Sequence, residues 1–408
     1  MARRPRAPPQ GVWAYRPRFD VVVEQRERNV SALRRFRAWA DLGRAQGITS
    51  TATIAIVGAI TSTTSLASAG ASTPLEAFLR LFILDPHRID AFDLAILTLV
   101  SVFTHAVPNA YIELGDYPLD SLIKESSRKP IVSGIIQPRQ VWWFILVGLS
   151  ISVALSLVAF FRYPGDPRLP NLPMLAALTG GALWVMWYGN GAGKRLVGSY
   201  DFAFTVAYCF YALYGAFAVG LPTIWTVAFL GVVATAGTTF TQWENGLKDV
   251  RADRVTGVRS LAVVSGLTED GPLPWRHPFL LYGIALKVAF LSVPLWVLTL
   301  MDPALRLPYA IFLALVALPS QVWVLWRFHR YRDRLSIRKT MLWDVTFAAT
   351  IAFSILIPIV GWWGLLGLMA FLVGGYLIGS SAQYGTEFKF GRYSSRWEER
   401  LSTDQLVE

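Results

Sequence analysis

The sequence predicts an all-α integral membrane protein with nine or ten transmembrane helices around a central cavity. Three observations carry that reading. Of 408 residues, 54% are hydrophobic and only 16% charged, and the mean hydropathy is +0.42; a soluble domain of this length needs far more polar surface. Apolar stretches long enough to cross a bilayer recur along the whole chain. Lysine and arginine gather in alternate connections.

The spans fall at about 48–69, 91–110, 141–161, 173–188, 200–219, 223–241, 279–298 and 308–326. A last run, 345–380, is too long for one helix and reads as two that meet near Gly361-Trp362-Trp363-Gly364. The first residues, ARRPRAPP, are basic, but no compact apolar region with a cleavage site follows closely, so no signal peptide is expected. Leu33, Phe36, Trp39 and Ala40 recur at helical spacing, which predicts an amphipathic interfacial helix over 30–43. The organisation is thus a basic arm (1–44), a transmembrane domain (45–381) and a C-terminal tail (382–408). The one cysteine, Cys209, lies within a span, which excludes an intrachain disulfide and a cysteine-based metal site.

With the N-terminus inside, 32 of the 38 Lys and Arg residues fall on the inner side and five in outer loops. That asymmetry predicts a multi-pass protein of the cell membrane whose N-terminus faces the cytoplasm. The net charge of +11 is therefore concentrated on one membrane face. Anionic lipid is its natural partner there, and no nucleic acid is implied.

Chemistry enters at NAYIELGDYPLD (109–120). Asn109, Glu113, Asp116 and Asp120 fall at roughly 0°, 40°, 340° and 20° around a helix, one narrow stripe. Four oxygen-bearing side chains on one stripe are costly unless a cation sits among them. The pattern has an echo: DYPLDSLIKESSRKPIVSG (116–134) and DVRADRVTGVRSLAVVSG (249–266) each carry Asp-xxx-Asp, a short basic stretch and a closing Val-Ser-Gly. Asn245, Asp249 and Asp253 again share one helix face. Only oxygen ligands are on offer, which suits Mg2+ better than zinc, above all where phosphate oxygens complete the shell. Arg128, Lys129, Lys194, Arg195, Lys248 and Arg254 surround these acids. Acids that hold a cation, flanked by lysines and arginines, make a receptor for a diphosphate. Trp184, Trp187, Tyr188, Phe240 and Trp243 are candidate cavity aromatics, although packing or interface anchoring is the commoner role of any one aromatic. Two polar residues within spans stay open: His105 as a base or a bonded core residue, and Lys287 as reaching an acid or phosphate, or snorkelling.

These residues resemble the UbiA superfamily of intramembrane prenyltransferases. NGLKDVRADRVTGVRSLAV looks like that family's second acidic motif, with Asn245, Lys248, Asp249, Asp253, Arg254 and Gly257 on matching positions. RKPIVSG resembles its RPIPSG with an extra Lys129, and YGNGAGKRLVG its Lys-Arg connection. Arg44 stands where the family has Arg-Pro. The first motif departs: Asn109 matches, but Ala110 follows it, so either Glu113 or Asp116 takes the first ligand position. The resemblance implies Asn109, Asp116, Asp120, Asp249 and Asp253 as catalytic, with Asn109, Glu113 and Asn245 added to the metal set. It also implies Arg44, Arg128, Lys129, Lys194, Arg195, Lys248 and Arg254 as the diphosphate collar. The activity it implies is Mg2+-dependent transfer of a polyprenyl group from its diphosphate to an aromatic or lipid acceptor. A membrane terpene cyclase or a polyprenyl-phosphate phosphoribosyltransferase keeps the fold and changes the chemistry, and an ion-coupled transporter is the non-enzymatic alternative.

Overall fold

In the computed structural model, which describes residues 30–62, 91–120, 129–189, 199–256, 259–268, 272–331 and 333–384, the apolar runs fold as helices. α1 (Ala32–Leu42) starts at Ser31, whose hydroxyl accepts from the Arg34 amide. Leu33 and Phe36 are exposed beside Arg34 and Arg35, while Ala38 and Leu42 are buried. A 3-10 turn, Ala45–Gly47, leads into α2 (Ile48–Thr61). α3 (Ala91–Asp120) and α4 (Pro138–Phe160) follow. A small antiparallel hairpin of β1 (Arg162–Tyr163) and β2 (Asp166–Pro170) turns the chain into α5 (Leu172–Gly189) and α6 (Ser199–Val219).

α7 (Ile224–Thr238) passes through a π-turn at Thr239–Glu244 straight into α8 (Asn245–Thr256), so the second acidic motif continues the rod of a span. After the single turn of α9 (Leu261–Val264) come α10 (Pro278–Leu300) and α11 (Pro303–Phe312). A second π-turn, Leu313–Ala317, joins α11 to α12 (Leu318–Arg330), and α13 (Arg334–Ser354) and α14 (Ile357–Tyr384) complete the described bundle.

Six of these rods are long and apolar enough to cross a bilayer: Phe92–Tyr117, Pro138–Phe160, Ile224–Val250, Pro278–Leu300, Pro303–Arg330 and Ile357–Gln383. Ala45–Thr61, Leu172–Trp187 and Phe204–Val219 are apolar but shorter. On the outer surface Val158, Ile378 and Leu315 are 81%, 73% and 71% exposed, which only a lipid surround makes inexpensive. The division expected inside 345–380 is spread over a longer stretch. α13 begins earlier, at Arg334, because Asp333 caps it by accepting from the Ser336 amide. It ends at Ser354, and Gly361 then breaks the next helix with a φ of 71°, a conformation open to glycine.

α2 is the axis of the packing, with every residue from Ala55 to Thr61 buried. It can sit so close to α6 because glycines meet backbone there: a methyl at Gly58 would run into the Ala212 carbonyl, and one at Gly215 into that of Ala55. Farther along the bundle the contacts become ionic. Lys287 of α10 is 3% exposed and hydrogen-bonds Asp344 of α13. Its ammonium also lies 3.9 Å from Glu244, the last residue of the first π-turn. Lys287 therefore reaches acids and does not snorkel. Removing one member of a buried ion pair strands the other charge, at a cost of about 3–5 kcal/mol. We expect Lys287→Met to lower the thermal unfolding midpoint in detergent strongly, and Lys287→Met with Asp344→Leu to recover part of the loss. A double variant no better than the single one would contradict the pairing.

Candidate active site

Each acidic motif extends the C-terminal end of a long helix. α3 runs helical through Pro118 to Asp120, which keeps Asn109, Glu113, Asp116 and Asp120 on the stripe that the sequence predicts. α8 does the same for Asn245, Asp249 and Asp253. Asp120 and Asp253 are buried, and Asp116 and Asp249 are half-buried.

Cations lie among these oxygens. Lys129 donates to Asp120 Oδ2 at 2.7 Å and pairs with Glu113 Oε2 at 3.0 Å. The other Glu113 oxygen takes Arg44 at 3.1 Å. Across the site, Lys248 donates to Asn245 Oδ1 at 2.9 Å and lies 3.2 Å from Asp249 Oδ2. Each motif thus holds a lysine ammonium between two of its own oxygens. Burial raises the Asp120 carboxyl above the usual range, a push that Lys129 only partly offsets. Burial also draws the Lys129 pKa down, but Glu113 and Asp120 together outweigh it, and the net shift is upward.

Arg44 owes its place to backbone as well as charge. It takes left-handed φ and ψ of 47° and 55°, between α1 and the 3-10 turn. Its carbonyl faces His105 Nε2 at 3.1 Å, and Thr51 Oγ1 is 2.8 Å from His105 Nδ1. Asn109 Nδ2 also lies 3.2 Å from His105 Nε2, so polar contacts from three residues hold the ring. Asn109 then donates to the His105 carbonyl at 2.8 Å. His105 is a bonded core residue that fixes Arg44.

A cavity of about 180 Å³ lies beside these groups, and the motif carboxylates and lysines are not among its lining residues. Asn109 from the first motif and Asn245 from the second both line it, together with Arg44 and His105. Phe204, Tyr208 and Tyr211 of α6 and Phe240 of the π-turn supply its aromatic walls. Of the aromatic candidates, Phe240 is there and Trp243 is not: its indole is buried elsewhere, donating to the Phe279 carbonyl at 3.0 Å and packed on Phe328. Trp184 and Trp187 pack on each other, outside the cavity's lining. The α6 aromatics were readable as an i, i+4, i+7 stripe, Phe204-Tyr208-Tyr211, that a search centred on the acids passes over. Arg254 bonds the Leu267 carbonyl. Arg128, Lys194 and Arg195, and the side chain of Tyr188, lie outside the described residues. Among the described residues no three histidine, cysteine or acidic side chains cluster closely enough to hold a metal as a set.

The site thus joins two acidic helix ends of an α-helical membrane bundle through one cavity, which Asn109 of the first motif and Asn245 of the second both line. The match to the UbiA prenyltransferase family model runs over residues 74–347, most of the chain, and the protein belongs to that family. No curated protein matches the sequence. Among solved structures, a UbiA homolog from Archaeoglobus fulgidus bound to DMAPP and Mg2+ superposes with a TM-score of 0.51 at 16% identity, covering 78% of this chain and 98% of its own. The same homolog bound to GPP and Mg2+ gives 0.50 at 16% identity, covering 78% and 99%. At that identity the likeness is one of fold.

The raised Lys129 pKa has a consequence for stability. Its contribution is complete below the unfolded-state value of 10.5 and is lost as the pH rises through the higher folded value. The unfolding midpoint of the protein should therefore exceed that of Lys129→Met at neutral pH, with the gap closing only in strong alkali. A gap that stays constant to high pH would contradict the ion pairs.

Proposed function

We propose that the protein is a Mg2+-dependent intramembrane prenyltransferase, which moves a prenyl chain from its diphosphate to an aromatic or lipid acceptor and releases diphosphate. The observation that carries this reading is that Asn109 and Asn245, which open the two motifs, line one cavity beside Arg44. Family membership supports it, as do the DMAPP and GPP bound by the structural relative.

The donor set fits Mg2+. Both motifs offer oxygen alone, and each already accommodates a cation between its side chains, the ammonium of Lys129 or of Lys248. Asp116, Asp120, Asp249 and Asp253 would hold the metal, with Asn109, Asn245 and Glu113 in support. Phosphate oxygens would supply the ligands that these side chains do not. Bound there, Mg2+ offsets the charge that builds on diphosphate as the allylic C–O bond breaks.

The chain's own residues do the rest. Lys129, Lys248 and Arg44, released from the carboxylates, turn their donors onto the diphosphate oxygens. Arg128, Lys194, Arg195 and Arg254 extend that collar. Phe240 and Tyr208 present π faces to the allylic cation, and the apolar walls keep water from trapping it. The acceptor then bonds to the cation and loses a proton. The Lys and Arg distribution supports a cytoplasmic face for this site in a multi-pass protein of the cell membrane.

Asp249→Ala and Asp253→Ala should each abolish diphosphate release from allylic diphosphates while the protein stays extractable and folded. Full activity in both would remove the second motif from the mechanism. Chelation of Mg2+ should likewise stop turnover and its return restore it; activity indifferent to chelator would exclude the metal.

A further inference from the structure

Among the cavity's lining residues, one side chain is tied across to the opposite helix. α2 and α6 enter the bundle side by side from the motif face: Thr51 reaches His105 near that face, and at the far end Gly220 lies against Ser62. α3 runs the other way, so positions before His105 lie deeper. The deepest lining residues on α3 and α6 are Thr104 and Tyr211, and the Tyr211 hydroxyl donates to the Thr104 carbonyl at 2.7 Å. That carbonyl is available for a physical reason. Its helical partner would be the amide of residue 108, and Pro108 has none. Tyr211 takes the orphaned acceptor and is locked across the cavity, its ring resting against Gly181, where an added methyl would lie 3.5 Å from Cε1. Beyond it, Leu97, Val100 and Tyr214 are packed at 0–1% exposure.

We propose that Tyr211 is the chain-length stop of the donor site and that the site takes short allylic diphosphates. This inference rests on the reading of the cavity as a diphosphate site. At about 180 Å³ the cavity is smaller than the roughly 300–1,000 Å³ of common ligand pockets. Asn109 and Thr104 are separated by about 7.5 Å of helix, a depth that suits a tail of one or two isoprene units before the phenol. A longer tail collides with a side chain that cannot swing aside without stranding the Thr104 carbonyl. Tyr211 acts on the tail, not on the reacting bond, so it sets specificity.

The test reads binding with Mg2+ present, using inorganic diphosphate and unreactive thiolo analogues of dimethylallyl, geranyl, farnesyl and geranylgeranyl diphosphate. The unaltered protein should prefer the two shorter analogues. Tyr211→Ala should shift the ratio of longer to shorter binding by about tenfold or more. Tyr211→Phe, which keeps the ring but loses the bond to the Thr104 carbonyl, should relax the order in the same direction as Tyr211→Ala but by less. Tyr211→Leu should move in the same direction as Ala and serves if the alanine variant does not fold. Inorganic diphosphate that binds normally, with an order that neither Tyr211→Ala nor Tyr211→Leu changes, overturns the stop alone. Failure of inorganic diphosphate to bind the unaltered protein overturns the diphosphate reading and the stop with it.

Discussion

The arrangement on which the site depends is a lysine ammonium seated between the oxygens of each acidic motif. Lys129 bridges Glu113 and Asp120, and Lys248 bridges Asn245 and Asp249. Without them, α3 and α8 would carry partly buried carboxylates with less positive charge to offset their desolvation. In the proposed reaction a divalent cation would take the same oxygens, and the displaced ammoniums would turn to the polyanion, so one set of groups would serve both states.

Around that exchange the bundle is rigid where the chemistry needs fixed geometry. His105 joins Thr51 of α2 to the Arg44 backbone, so the guanidinium that reaches Glu113 hangs from the most deeply packed helix. On the other side, Glu244 precedes Asn245 and approaches the Lys287–Asp344 pair, which connects α8 to α10 and α13. Pro108 frees a carbonyl that Tyr211 uses to brace α6 against α3. Each brace is a polar bond inside an apolar bundle, where an unmade bond is expensive and geometry is correspondingly well determined.

Much of this was legible in the sequence because membrane helices and their charged ends announce themselves. The apolar runs marked the rods, and the stripe Asn109-Glu113-Asp116-Asp120 stayed on one face because α3 is unbroken to Asp120. What was not legible depends on register or on partners distant in sequence. The π-turn at Thr239–Glu244 turns Glu244 toward Lys287 and Asp344, which no local pattern indicates. Trp243 looked like a cavity aromatic, but that same register sends it to Phe279 and Phe328. Glu113 read as a ligand candidate, and only the fold brings Arg44, far away in the chain, onto it. The start of α13 was missed because Arg334, Arg338 and Lys339 make its first turns look like a loop.

The most direct test of the shared headgroup is a structure determined with Mg2+ and an unreactive thiolo-diphosphate donor. The account predicts one diphosphate between α3 and α8, metal density touching Asp116 or Asp120 and also Asp249 or Asp253, and Lys129 and Lys248 moved from carboxylate to phosphate. A diphosphate held by one motif alone, with the other motif's lysine still on its own oxygens, would contradict it.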